Sequence, residues 1–340
     1  MSLSRKSPPP SRRMTSWIRR WKGLGAVVWG DFVLDEYWRC RSSRVSREAP
    51  VLVLDYQSRV IQGGGAANAA LNLAALGARV AVVGWVGRDD AGHELRALLA
   101  GAGINTEGLL AHSRQATVVK TRIVAGSVHT AQQQVVRVDR GSAFADGARE
   151  RSALLLALDE AARGAEAIVL SDYGYDSVTP ALARTRMRPW RAAGVVVGLD
   201  ARYRLASYRD VTVATPNEEE AERAAGQTIA SDRDLERAAL RIRRRLRASH
   251  LVVTRGRDGL TLWSDPGGVS LEAWGGNEAV DVTGAGDAVI ATMTLALAAG
   301  APALTAAALA NAAGSVAVSR RGAVAVGVRP LLASLGAGSR

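Results

Sequence analysis

Short apolar runs and helix-spaced apolar positions take turns along most of this chain. AVVWGD (26–31) is an apolar run closing on Gly30-Asp31, the pattern of a strand buried on both faces whose carboxyl end delivers polar groups to a site. RVAVVGWVG (79–87), AIVLSDY (167–173), VVVGLD (195–200), VTVATPN (211–217), LVVTRG (251–256) and LTLW (260–263) repeat the theme. Between them, GGGAANAALNLAALG (63–77) and segments at 91–102, 149–163, 179–192, 218–225 and 232–248 carry helical spacing. Alternation with short connections predicts a mostly parallel sheet covered on both faces. Two segments, about 36–62 and 114–140, differ: VLVLDYQSRVI (51–61) and ATVVKTRIVAGSVHTAQQQVVRVDR (116–140) alternate β-branched with polar residues. They predict half-exposed antiparallel strands joined in one small sheet that lies over the main sheet as a lid.

Composition adds a tail to this outline. The net charge is +12, and residues 1–22 hold Arg5, Lys6, Arg12, Arg13, Arg19, Arg20 and Lys22 with no acid. With Pro8-Pro9-Pro10 beside them, residues 1–24 read as a basic disordered extension, or as sequence upstream of a start at Met14, ahead of one domain spanning 25–335. Ser11-Arg12-Arg13 has no apolar run after it, so export is not expected. Apolar stretches break well short of the ~20 residues of a membrane span, which predicts a soluble, cytoplasmic protein. The single Cys40 excludes an internal disulfide, and His93, His112, His129 and His250 lack metal-ligand spacing. The arginine-dense 232–248 reads as a solvated helix face, and a nucleic-acid partner is not expected.

VDVTGAGDAVIA (280–291) carries the candidate chemistry. Gly284 and Gly286 admit a ligand to the backbone, and a helix start presents free N–H groups with roughly half a positive charge. A transferring phosphoryl group fits there, with Asp287 placed to orient a hydroxyl and take its proton. The plainer alternative is a capping aspartate after a tight turn. In TPNEEEAE (215–222), Asn217 and Glu220 stand three apart at a strand-to-helix junction, suited to a hydrated magnesium ion or to an ordinary acidic first turn. Gly64, Gly65 and Asn68 suit close approach of a sugar or a strand-to-helix packing turn. Asp31 and Asp35 suit pairing with sugar hydroxyls or turn and cap duty. Gly63-Gly64-Gly65 is not a dinucleotide fingerprint, because it does not follow the first strand directly.

These pieces in this order resemble the ribokinase-like (PfkB) carbohydrate kinases over roughly residues 25–330. The resemblance implies a three-layer α/β sandwich with a mostly parallel central sheet and a small β-sheet lid. It implies ATP and Mg2+ as cofactors, leaves a monovalent cation open, and assigns Asp287 as catalytic base with Gly284, Ala285 and Gly286 as anion hole. Asn217 and Glu220 match the family's metal- and phosphate-organising pair. Asp281, Thr254, Gly256 and Gly259 (the last three in TRGRDG), and Asn311 match nucleotide-pocket positions, while Asp31, Asp35, Gly64, Gly65 and Asn68 match sugar-side positions.

Within that family, SRVSREAPVLVLD (43–55) and QQVVRVD (133–139) resemble kinases that phosphorylate the anomeric hydroxyl of a heptose 7-phosphate. The chain departs from them at SDYGYDS (171–177) and LDARYR (199–204), where each carries a lysine that this sequence lacks. Asp172 and Arg202 are assigned to the substrate from these segments, with Arg202 or Arg204 as stand-ins for the missing ammonium. A nucleotidyltransferase domain like that of the bifunctional members is not expected to follow the kinase domain. Alternatives stay open: a kinase for an unphosphorylated sugar or nucleoside, or a non-catalytic sugar- or nucleotide-sensing protein. The lid's exposed strand edges predict pairing with a second copy.

Overall fold

Strand β1 (Ser4–Arg5) and helix α1 (Ser11–Ile18) precede β2 (Gly25–Gly30), and β3 (Phe32–Val45) and β4 (Leu52–Gly65) follow as a long hairpin. Next come α2 (Ala66–Ala75), β5 (Arg79–Gly87), α3 (Asp90–Gly101), β6 (Leu109–His112), β7 (Val118–Gly126) and β8 (Gln133–Arg140). The second half runs α4 (Ala148–Ala161), β9 (Ala167–Asp172), α5 (Pro180–Ala192), β10 (Val196–Ala201), β11 (Val213–Ala214), α6 (Glu218–Ala225) and α7 (Asp232–Leu246). It closes with β12 (His250–Thr254), β13 (Leu260–Ser264), β14 (Gly267–Leu271), α8 (Ala285–Ala298), α9 (Ala303–Val318) and α10 (Val328–Ala337). This computed structural model describes residues 4–5, 7–126, 133–144, 147–265, 267–275, 280–320 and 322–337; Lys6, His129 and the rest of 127–132 within the second lid segment lie outside the described residues.

The main sheet has the order β1-β14-β13-β12-β11-β10-β9-β2-β5-β6. It is parallel except at β12–β13 and β13–β14, as the strand and helix alternation predicts. Side chains alternate across it: Val28 joins the apolar layer beneath α2, α8 and α9, whereas Val27 and Trp29 join the layer beneath α4, α5 and α7. Three layers result. α8 is buried almost all round, which explains why ATMTLALA shows no polar face. The expected strand over 211–217 forms its ladder at Val213–Ala214 and returns only as an isolated bridge from Asn217 to Thr254, since Pro216 between them has no N–H to continue the ladder.

Two expectations are corrected. The described part of the 1–24 extension is built into the fold: β1 pairs with β14 at the sheet edge, and Met14, Ile18 and Trp21 are fully or almost fully buried in the core. Apolar residues at 14, 17, 18 and 21 share one helical face, and that face outweighs the charge count around it. The lid is a four-stranded sheet of order β4-β3-β7-β8, but its central pair, β3 with β7, is parallel. Both strands leave the same edge of the main sheet in the same direction, one after β2 and the other after β6, so only the hairpins β3–β4 and β7–β8 are antiparallel.

Candidate active site

The chain passes from β2 to β5 on one side while β9 lies on the other, the arrangement in which open α/β sheets form a crevice at their carboxyl edge. A cleft of about 800 Å3 opens there. The lid lines it with Asp35, Lys120, Arg122 and Arg137, and the core with Tyr173, Asp200, Arg202 and the start of α8.

Gly284 caps α8 with φ +79°, and a Cβ at that position would collide with the Asn68 amide, so both backbone and neighbour require glycine. The first turn leaves the N–H groups of Gly286 and Asp287 without a carbonyl four residues back, because the first such bond runs from Ala288 to Gly284, at 3.2 Å. Open space lies where a Gly286 side chain would be. An anion can therefore reach these N–H groups.

Asp287 sits in that same turn, 4% exposed. The Asn68 Nδ2 donates to one carboxylate oxygen at 2.7 Å and the Tyr173 hydroxyl to the other at 3.0 Å. Burial pushes its pKa up to about 6, against the opposing pull of those two hydrogen bonds. A carboxylate with this value is ionised at neutral pH and accepts a proton readily, as a general base must.

Several expected residues are brought together in the cleft and four are not. Asp35, Gly64, Gly65, Arg202, Asn217, Glu220, Thr254, Gly256, Gly259, Gly284, Ala285, Gly286, Asp287 and Asn311 all line it. Asp31 is corrected from sugar contact to brace: its buried carboxylate accepts backbone N–H groups from Tyr173 (2.8 Å), Tyr175 (2.9 Å) and Ser177 (2.9 Å). Asp172, fully buried, is also consumed, by Arg204 at 2.6 and 2.9 Å and by the Tyr208 hydroxyl at 2.7 Å. That pairing removes Arg204 as a stand-in for a missing lysine. Asn68 holds Asp287 instead of facing a sugar. Asp281 braces the turn, accepting from the N–H groups of Thr283 (2.9 Å) and Gly322 (2.8 Å). Burial alone would raise its carboxyl, but those hydrogen bonds dominate and hold it below the ordinary value.

Asn217 and Glu220 form a reciprocal capping box, with Asn217 Oδ1 accepting at 2.8 Å and Glu220 Oε2 accepting at 3.0 Å. This satisfies the plainer reading and leaves Glu220 Oε1 outside the box. Asp200, at the end of β10, has no hydrogen-bond donor among the described residues. Burial and the charges of Asp287 and Glu220 raise its pKa, and burial raises that of Glu220. Neither acid forms a salt bridge among the described residues, and the positive charges of Arg202 and, at Glu220, Arg223 offset the rise only in part, a setting that fits a divalent cation.

Sequence reasoning missed Lys120, Tyr173 and Asp200. Lys120 projects from β7 with its ammonium 5.6 and 5.7 Å from the ring centres of Tyr173 and Tyr175. Burial, and secondarily Arg202, lowers its pKa, while Asp35 acts the other way. Neither Lys120 nor Arg202 forms an ion pair among the described residues, whereas Arg122 pairs with Asp35 at 2.6 Å and Arg137 with Asp139 at 2.8 Å. The alternation of Lys120 and Arg122 in β7 was the available signal, since period two puts both on one face.

The profile of pfkB family carbohydrate kinases matches residues 26–328, nearly the whole of the sheet, lid and cleft. The chain belongs to the pfkB family of carbohydrate kinases. This kinase is 36% identical to the bifunctional protein HldE of Citrifermentans bemidjiense over 97% of its own length and 67% of that protein. It is 38% identical to the HldE of Geobacter metallireducens over 93% of its length and 64% of that protein. The kinase thus spans about two thirds of the length of these relatives. In fold it is similar to Arabidopsis thaliana ribokinase complexed with ribose and ATP, with TM-score 0.70, 19% identity, and 92% and 99% of the two chains covered. It is also similar to Escherichia coli phosphofructokinase-2 in complex with fructose-6-phosphate, with TM-score 0.73, 20% identity, and 94% and 100% covered. The expected three-layer sandwich with a lid is therefore the observed fold, and a small sugar is the class of substrate. No described helix is long and apolar enough to cross a membrane.

Proposed function

We propose that this kinase transfers the γ-phosphoryl group of ATP to the anomeric hydroxyl of a heptose 7-phosphate or a closely related phosphorylated sugar. The observation that carries the substrate class is the pair Lys120 and Arg202: two cations share the cleft with Asp287, close enough for Arg202 to lower the Lys120 pKa, and neither forms a salt bridge among the described residues, although Asp35 acts on Lys120 and Asp200 and Glu220 on Arg202. Two unpaired like charges facing one cavity fit an anionic group on the ligand. The likeness to HldE proteins supports a heptose phosphate, and Arg202 supplies the cation that the missing lysine does not.

In this reading the sugar hydroxyl lies against Asp287, which takes its proton as the new O–P bond forms and the bond from the γ-phosphorus to the bridging oxygen breaks, releasing ADP. At the turn over 284–287, the free N–H groups of Gly286 and Asp287 stabilise charge on the transferring group. Asp200 and Glu220 would hold Mg2+, which supplies neutralisation of the phosphate oxygens. Thr254, Gly256, Gly259 and Asn311 line the nucleotide side. The lid covers the sugar and excludes water that would otherwise accept the phosphoryl group. Lid residues Val45, Val51, Leu52, Tyr56, Val135, Val136 and Val138 are exposed, and the outer strands β4 and β8 have no further neighbour among the described residues, which supports docking of a second copy on the lid.

The test is ADP release with Mg-ATP on heptose 7-phosphate, heptose, fructose 6-phosphate, fructose and ribose, repeated with Lys120→Ala and Arg202→Ala. Turnover confined to a phosphorylated sugar, with KM for it raised about tenfold or more in each variant, is expected from loss of a charge-assisted contact. Turnover on unphosphorylated sugars alone refutes the phosphosugar reading and favours the alternative suggested by Tyr175 standing where heptose kinases carry lysine.

A further inference from the structure

The described hydrogen bonds tie both oxygens of Asp287 to side chains from two other elements. Tyr173 follows β9, and its own backbone is anchored: its N–H, with those of Tyr175 and Ser177, points into the single buried carboxylate of Asp31. The ring packs on the backbone at Gly65, where a Cβ would come within 3.4 Å of it, and its face receives the lid's Lys120 at 5.6 Å. Its hydroxyl then reaches Asp287 at 3.0 Å, opposite Asn68 at 2.7 Å. Burial and the Asp287 charge raise the phenol's pKa well above its ordinary value, so it stays a donor throughout the working pH range.

We propose that Tyr173 is a positioning residue for Asp287: its hydroxyl, with the Asn68 amide, fixes the plane of the carboxylate so that one remaining lone pair faces the substrate hydroxyl. The proposal rests on the reading of Asp287 as the base. The chemical consequence is twofold. A carboxylate held by one donor instead of two rotates about its last side-chain bond, so fewer encounters are productive. Loss of a hydrogen bond to the charged form also makes ionisation harder and moves the working range to higher pH.

Tyr173→Phe separates these effects from packing, because it keeps the ring and its contact with Lys120 and removes only the hydroxyl. The expected result is a fall in kcat of about 10- to 100-fold, the scale of a misoriented reacting group. KM for sugar and ATP should stay within about threefold, the signature of an interaction that serves the transition state more than ground-state binding. The acid limb of the kcat profile should rise by about one pH unit or more, as for a lost hydrogen bond to a charged group. Tyr173→Leu, which also removes the ring, should show the same limb shift together with a lower melting temperature. If Tyr173→Phe keeps the parent kcat and acid limb while Tyr173→Leu loses both stability and activity, the residue only packs, and the proposal is overturned. Asp287→Asn run alongside distinguishes the two levels: near-normal turnover in that variant sinks the base assignment itself, whereas an inert Asp287→Asn beside an unaltered Tyr173→Phe sinks only the positioning role.

Discussion

Asp287→Asn should inactivate the kinase and stabilise it at the same time. The carboxyl is 4% exposed, and burial lifts its pKa from the ordinary 3.8 to about 6 in the folded chain. A raised carboxyl means that the folded state binds more protons than the unfolded state between those values. Its contribution to stability is therefore complete below about pH 4 and is lost as pH rises through about 6. A shift from 3.8 to about 6, at about 1.4 kcal/mol per unit, amounts to up to about 3 kcal/mol at pH 8. Asparagine has nearly the same shape and fits the same partners: its carbonyl accepts from Asn68, and its amide donates to the Tyr173 oxygen. The variant should match the parent in urea unfolding near pH 4 and exceed it by up to about 3 kcal/mol at pH 8, while kcat falls by about 10²-fold or more with the lost acid/base group. A variant less stable than the parent at pH 8, or a difference that does not change with pH, would refute the account of Asp287 as a buried charge kept for function at the expense of stability.

The packed N-terminal segment predicts that Trp21→Ala, which empties a fully buried site, lowers unfolding free energy by about 3–5 kcal/mol; a loss below about 0.5 kcal/mol would mean that the segment is a loose extension after all. For the lid, sedimentation should show dimers that dissociate in the double variant Tyr56→Lys and Val136→Lys, both positions being exposed on that sheet. A monomeric parent at micromolar concentration would remove the second copy.

The sequence by itself determined the parallel sheet, the lid and the Gly-Ala-Gly start of α8, the proposed phosphoryl site, because each is written in neighbouring residues. Period-two and helical spacing, the Gly-Ala-Gly turn and Asp287 at a helix start are local patterns, and the strand RVAVVGWVG and the helix over 218–225 fall where those patterns place them. The direction of β3 against β7 was not local, since it depends on which edge of the main sheet each strand leaves. The role of each acid was not local either. Asp31, Asp172, Asp281 and Asp287 look alike as single letters after a strand or before a turn. Asp31 is consumed by three N–H groups more than 140 residues away in the chain, and Asp172 by Arg204, 32 residues on. Asp287 accepts from two side chains, Asn68 and Tyr173, and lines the cleft, whereas Asp281, with two donors as well, is held by the backbone N–H groups of Thr283 and Gly322 and does not line it. Which carboxylate is spent on structure and which is left at the cleft is decided by where the folded chain brings its donors, and by how much water burial takes away. Only the tertiary structure places those donors.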